Sequence, residues 1–194
     1  MIVSVGNDEV EGGMRRCMAM GADRAIRVEA GGRLDPVSIA RALAPVVEAE
    51  KPDLVLTGVQ SSDSVQAATG TALAELLGLP CVAVVTKLSW DGSAPTATVH
   101  RELEGGLVDV VEVDVPALLT IQTGINEPRY ATLRAIKQAE QKEIDVREAG
   151  DAVQSAYRVR RMFVPSKGEG AEMLNGSAAA IAERIAGIVK ERMA

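Results

Sequence analysis

The chain has 194 residues, of which 47% are apolar, and a formal net charge of −6. Its 21 basic residues are scattered along the sequence, so there is no electrostatic footprint for a nucleic acid. No apolar run is long enough for membrane insertion, and two widely separated cysteines without metal spacing predict reduced, packed thiols in a cytoplasmic protein. With aromatic residues at only 2%, the core must consist of aliphatic side chains, which favours an α/β fold.

The first half of the chain alternates short β-branched strands with helices, as parallel β-α units do. The predicted strands are residues 2–5, 25–28 and 54–57, and the predicted helices are residues 11–20, 36–50 and 65–77. Asp35 is the expected N-cap of the second helix, directly before Pro36 at its first position. Pro45 lies inside that helix and is expected to kink or split it.

The second half changes to an antiparallel pattern before it returns to the sheet. The predicted strands are residues 82–88, 96–103, 107–113 and 118–122, the middle two forming a hairpin, and helices follow at residues 132–142 and 178–193. The sequence therefore predicts a Rossmann-like α/β domain over residues 1–146, with a mostly parallel sheet covered by helices on both faces. Residues 147–194 are expected to form an arm that either docks on a neighbouring chain or folds back on its own domain.

The segment after the third predicted strand, residues 58–69, is rich in small hydroxylated and amide side chains. In an open α/β sheet, ligands bind at the carboxyl ends of strands, where backbone N–H groups and a helix N-terminus face an anion. Because the lysine of a P-loop is absent, the segment predicts a phosphate that is held and not cleaved. Asp63 is suited to cap the following helix or to accept a hydrogen bond from a ribose hydroxyl. The alternative interpretation is that the Ser-Ser-Asp-Ser run only caps that helix.

Several stretches together resemble one known family. They are the segment just described, "MGADRAIRVE" at residues 20–29, "HRELEGG" at residues 100–106 and "INEPRYATLRAIKQAEQ" at residues 125–141. The chain resembles the β subunit of electron transfer flavoprotein, the small subunit of the FixA/FixB type, from Val3 to about Val146. The run from Asn126 to Tyr130 is close to a signature of that family.

The resemblance implies a heterodimer in which a large α subunit carries the redox-active FAD and this subunit holds a structural AMP. Such a carrier catalyses nothing by itself and shuttles electrons from dehydrogenases, such as acyl-CoA dehydrogenases, to a quinone-linked oxidoreductase. Matching positions imply AMP contacts from Val5, Gly58, Gln60, Ser61, Ser62, Asp63, Ser64, Val65, Gln66, Ala67, Ala68 and Thr69.

The resemblance also implies partner contacts from four side chains. Leu133 matches a leucine that anchors into partner dehydrogenases, although a core-facing leucine is the alternative. Glu102 matches a glutamate that helps to hold the mobile FAD domain in one orientation, and an ordinary solvated charge is the alternative. Arg129 and Tyr130 belong to the signature itself and are expected at the partner surface.

The main departure from the family lies at the start of the sequence, because relatives begin with an earlier strand that contributes to the AMP pocket. A shortened nucleotide-binding domain is therefore expected. Two alternative functions stay open. One is an electron-bifurcating variant with a second FAD in this subunit. The other is a stand-alone adenine-nucleotide sensor of the universal-stress-protein type, against which the absence of a G-x-x-G loop argues.

Overall fold

The computed structural model describes residues 1–150, 153–165 and 170–193, which form two units divided after Arg158. The strands are β1 (Ile2–Val5), β2 (Ala25–Glu29), β3 (Leu54–Gly58), β4 (Cys81–Ser89), β5 (Thr96–Glu102), β6 (Val108–Asp114), β7 (Ala117–Ile121) and β8 (Asp145–Glu148). The helices are α1 (Glu11–Ala19), α2 (Pro36–Glu50), α3 (Thr69–Leu77), α4 (Leu133–Gln141) and α5 (Ala178–Met193). Each predicted strand and helix has a counterpart, although α3 begins later than predicted and β8 is additional.

The strands of the first unit are hydrogen-bonded as two open sheets. One has the order β1-β2-β8 and is parallel. The other has the order β3-β7-β4-β5-β6, in which β3, β7 and β4 are parallel and β5 and β6 form the antiparallel hairpin. The predicted α/β class with a hairpin is confirmed. Strands β1 and β3, each at the edge of its sheet, line a common groove of about 230 Å³ with residues of α2 and α3.

The sequence pattern does not predict β8, because three of its four residues are charged. The strand pairs in parallel with β2 at the edge of the smaller sheet, with Ile26 opposite Asp145. Arg147 Nη2 also lies 3.0 Å from Glu50 Oε1 at the end of α2. An edge position leaves these charges solvated or paired, so no apolar alternation is needed. As a result, the predicted boundary after Val146 lies inside a strand, and the first unit continues to Arg158.

Helix α2 begins and ends as its sequence predicts. The Asp35 carboxylate accepts a hydrogen bond from the Ser38 N–H, and Lys51 at the C-cap has a left-handed backbone. The expectation that Pro45 splits the helix is wrong, since α2 continues through it. Pro45 and Arg41, whose carbonyl loses its helical partner, both lie on the exposed side of the helix. Water can therefore satisfy that carbonyl.

The core lies on both faces of β7. Leu118 packs against α2 and α3, whereas Leu119 packs among Val85, Val99 and neighbouring residues of the hairpin layer. Neighbouring residues of a strand point to opposite faces, so this one strand anchors two clusters. The prediction that the cysteines are packed is wrong, because Cys17 and Cys81 are both exposed.

Helix α4 begins with a side-chain cap, since Thr132 Oγ1 accepts a hydrogen bond from the Ala135 N–H at 3.2 Å. We expect Thr132→Ala to lower the free energy of unfolding by about 1 kcal/mol, because that N–H loses its partner. Urea unfolding would measure the change. Thr132→Ser keeps an acceptor oxygen and should retain most of the stability; equal losses in the two variants would contradict a role as cap.

The second unit contains α5, whose bounds match the predicted terminal helix. Before it, Met162, Phe163 and Val164 are exposed, and the Arg161 guanidinium lies 4.9 Å from the centre of the Phe163 ring. Within the described residues, no helix is both long and apolar enough to span a membrane.

Candidate functional site

A set of polar side chains surrounds a cavity at the carboxyl ends of β1, β2 and β3. Its volume is about 590 Å³, within the range of small-molecule sites. The lining residues are Val5, Gly6, Ala30, Gly32, Arg33, Leu34, Pro36, Ile39, Thr57, Gly58, Val59, Gln60, Ser61, Asp63, Ser64, Gln66, Ala67, Ala68, Thr69 and Tyr157. Three strands of the two parallel or mixed sheets, with the segments that follow them, therefore build the site at the strand ends where the fold rule predicts it.

The loop between β3 and α3 forms a turn of its own. Ser61 Oγ lies 2.8 Å from Ser64 Oγ, and Asp63 Oδ1 accepts a hydrogen bond from the Ser64 N–H at 2.8 Å. Hydrogen bonds from the Ser61 hydroxyl and the Ser64 N–H lower the pKa of the Asp63 carboxyl. That carboxylate is exposed and ionised, which suits it to accept hydrogen bonds from the hydroxyls of a ligand.

Helix α3 begins at Thr69, four positions after the predicted start. Its N-cap residue is Ala68, and no side chain caps it. The interpretation of the Ser-Ser-Asp-Ser run as the cap of this helix, Asp63 included, is therefore wrong. Val65 and Ala67 have φ angles of 52° and 48°, in the left-handed region, which ends any helical path through them. Such backbone conformations in non-glycine residues gather at functional sites.

The first turn of α3 faces this cavity, and a glycine lets it lie close to β3. A Cβ atom at Gly70 would overlap Thr57 Oγ1 and lie 2.9 Å from Thr120 Cγ2. Thr57 Oγ1 is buried and has no hydrogen-bond partner among the described residues. The N–H groups of a first helical turn lack intrahelical partners and favour an anion. The close approach thus brings a helix N-terminus to the ends of the strands.

The structure brings most of the predicted AMP-contacting residues into one wall. All of them line the cavity except Ser62 and Val65, both of which are exposed. Sequence reasoning missed the opposite wall, which includes Arg33, Leu34 and Tyr157. A signal for Arg33 was available, because "GGR" follows the second strand at its carboxyl end. Nothing in the sequence signals Tyr157, which lies far along the chain.

Beside the cavity, the Asp35 carboxylate caps α2 and also binds a distant segment. It is 5% exposed and accepts hydrogen bonds from the N–H groups of Ser38 at 2.9 Å and Ala156 at 2.6 Å. These bonds, that from Ala156 first, hold the pKa of the Asp35 carboxyl well below its usual range. The carboxylate is therefore ionised at neutral pH.

The low pKa of Asp35 makes the stability of the folded chain depend on pH in the acid range. Since the pKa of Asp35 is lower in the folded chain than in the unfolded chain, its contribution is present above the unfolded value of about 4 and is lost as the pH falls further. We expect Asp35→Ser, which keeps a capping oxygen, to be less stable than the wild type near neutral pH and to approach it in acid. Urea unfolding from pH 7 downwards measures this; a stability difference independent of pH would contradict it.

The predicted partner residues lie away from the core. Tyr130 is 91% exposed and Leu133 is 80% exposed, so the alternative of a core-facing Leu133 is wrong. The Arg129 guanidinium lies over Gly21 at the end of α1. Glu102 is exposed at the end of β5, in the hairpin. Within the described residues there is no cluster of His, Cys, Asp and Glu suited to a metal ion.

Comparisons with known proteins agree on one family. The family model for the electron transfer flavoprotein domain matches residues 1–152. The electron transfer flavoprotein subunit beta of Methylophilus methylotrophus is 45% identical, over 98% of this chain and 76% of its own length. The subunits of the same name from Syntrophomonas wolfei and Homo sapiens are 34% and 39% identical, over 88% and 77% of this chain. The chain spans 66% and 59% of the length of those two proteins. On the strength of these matches, the chain belongs to the β subunits of the electron transfer flavoprotein family.

Proposed function

We propose that this chain is the nucleotide-holding subunit of a heterodimeric electron carrier in the cytoplasm. It binds AMP in the cavity at the ends of β1, β2 and β3 and pairs with an α subunit that carries FAD. The pair takes electrons from dehydrogenases, such as acyl-CoA dehydrogenases, and passes them to a quinone-linked oxidoreductase. In this pair the flavin of the α subunit supplies the redox chemistry, and this chain catalyses no reaction by itself.

The donor set of the cavity supports AMP as the ligand. The loop wall offers hydroxyls, amides and the first turn of α3, which suit a phosphate group. Arg33 lines the same cavity and adds a cation that the loop itself does not contain. Leu34, Pro36 and Ile39 form an apolar wall suited to a base. Ser61, Ser64, Thr69 and Arg33 are the residues that we expect to hold the phosphate.

The observation that carries the proposal is the lining of this cavity by the loop that the resemblance assigns to AMP. Its test is to co-express the chain with an α-type subunit, purify the complex, denature it and identify each released nucleotide by mass spectrometry. One FAD with one AMP per complex is expected. Two FAD molecules would instead indicate the bifurcating variant, and a flavin-free homodimer that binds adenine nucleotide would indicate the sensor.

We further propose that the arm docks on the α subunit. The support for this is a set of exposed apolar side chains in the arm. Met162, Phe163 and Val164 form an exposed apolar run, which is unusual for a solvated tail, and Ile185 and Val189 are exposed on α5. Deleting the chain from Val159 onwards is expected to abolish co-purification with the α subunit while leaving the first unit folded. Circular dichroism is the control for folding. A folded, truncated chain that still co-purifies would contradict this docking role.

A further inference from the structure

The segment after β8 returns to the N-terminus of α2 and is fixed there by partly buried hydrogen bonds. Asp35 Oδ2 accepts from the Ala156 N–H at 2.6 Å and from Ser155 Oγ at 3.2 Å. Ser38 Oγ, itself 1% exposed, donates to the Gln154 carbonyl at 2.7 Å. Three consecutive residues are thus tied to the first turn of α2, so the backbone just before Tyr157 has a defined position.

Tyr157 follows directly and lines the nucleotide cavity. Its hydroxyl accepts a hydrogen bond from Gln66 Nε2 at 3.0 Å, which joins this segment to the β3–α3 loop. The side chain remains 43% exposed, so the contact with Gln66 does not bury it. An aromatic ring beside a cavity of this kind offers a face on which a base can pack.

The polar and apolar walls of the cavity decide which part of a nucleotide the tyrosine meets. Apart from Arg33, the phosphate-type donors come from the loop and from α3, whereas the apolar residues are Leu34, just before α2, and Pro36 and Ile39 in its first turn. The hydrogen bonds of Ser155 and Ala156 to Asp35 hold the backbone before Tyr157 at the start of this same helix. Tyr157 therefore enters the cavity from its apolar side, and its hydroxyl extends to Gln66 on the loop.

We propose that Tyr157 contacts the base of the bound nucleotide and that Asp35 is its positioning residue. The inference rests on the proposed AMP-binding function. Since stacking of an aromatic side chain on a base contributes about 1–3 kcal/mol, loss of the ring is expected to weaken AMP binding about tenfold or more. Binding of ribose 5-phosphate, which has the phosphate but no base, is expected to weaken little.

The test compares AMP with ribose 5-phosphate by calorimetry on the full chain freed of nucleotide. Tyr157→Ala should weaken AMP binding about tenfold and leave ribose 5-phosphate binding unchanged. Leu107→Ala is the control, because it removes a large exposed side chain that does not line the cavity. Equal losses for both ligands in Tyr157→Ala, or no loss for AMP, would overturn the proposal.

A second variant tests the hydrogen bonds between Asp35 and the segment before Tyr157. Asp35→Ser keeps an oxygen for the cap of α2 but is too short to bind Ser155 and Ala156 as well. It should weaken AMP binding about as much as Tyr157→Ala does. The double variant should bind AMP no more weakly than either single variant. Additive losses would overturn the positioning role. If the wild-type chain binds ribose 5-phosphate and AMP equally, only this inference fails; if it binds neither, the proposed function fails.

Discussion

Gly70→Ala is expected to lower the free energy of unfolding by about 3 kcal/mol and to weaken nucleotide binding with it. The added methyl group would overlap Thr57 Oγ1 and lie 2.9 Å from Thr120 Cγ2, inside the layer between α3 and β3. Neither neighbour can move easily, because both threonines are β-branched residues in strands. The helix must therefore shift away from β3, and its N-terminus moves away from the cavity.

A matched substitution separates the clash from the general effect of alanine in a helix. Gly12 occupies the second position of α1, as Gly70 does in α3, and a Cβ atom at Gly12 meets nothing within 4 Å. Gly12→Ala should stabilise the chain by up to about 1 kcal/mol. Thr57→Ala combined with Gly70→Ala removes the nearest obstacle and should recover part of the loss. Urea unfolding of all three chains is decisive: similar effects of Gly70→Ala and Gly12→Ala would refute the close approach.

Much of the fold follows from the sequence, because its signals are local. The cap at Asp35, the stop at Gly78 and the alternation through the hairpin are each set by neighbours along the chain. The start of α3 was predicted too early, because the residues of the loop favour a helix cap by type while the backbone at Val65 and Ala67 is left-handed. Tertiary contacts at the cavity, and not local propensity, determine such conformations.

The site, like the fold, has one part that the sequence predicts and one part that it does not. The loop wall could be predicted because a polar run follows a strand directly, whereas Tyr157 reaches the cavity through hydrogen bonds to Asp35 that span more than a hundred residues. No periodicity or spacing encodes a contact of that kind. Strand β8 could not be predicted for a related reason. Its charges are paired or solvated at the edge of the sheet, so its sequence lacks the apolar alternation that indicates a strand.

The second large effect concerns the surface, where Leu133→Ala is expected to weaken the binding of a partner dehydrogenase about thirtyfold. Leu133 is the first residue of α4, directly after the Thr132 cap, and 80% of its surface is exposed. A large apolar side chain held on a capped helix loses little entropy on docking, and truncation of an interface hot spot costs about 2 kcal/mol.

The measurement is electron transfer from an acyl-CoA dehydrogenase to the purified complex with the α subunit, followed as a function of carrier concentration. Leu133→Ala should raise the KM for the carrier about thirtyfold, while the unfolding midpoint and the AMP content stay unchanged because the side chain packs on nothing in the core. Leu76→Ala removes a partly exposed leucine from α3 and serves as the matched control, with an unchanged KM. An unchanged KM for Leu133→Ala would show that this dehydrogenase docks elsewhere, whereas a lowered unfolding midpoint would show that the leucine supports α4 itself. Because Leu133 and the cavity residues lie on different elements, loss of docking with AMP retained would separate the two roles proposed for the chain: holding a nucleotide and presenting a surface to a dehydrogenase.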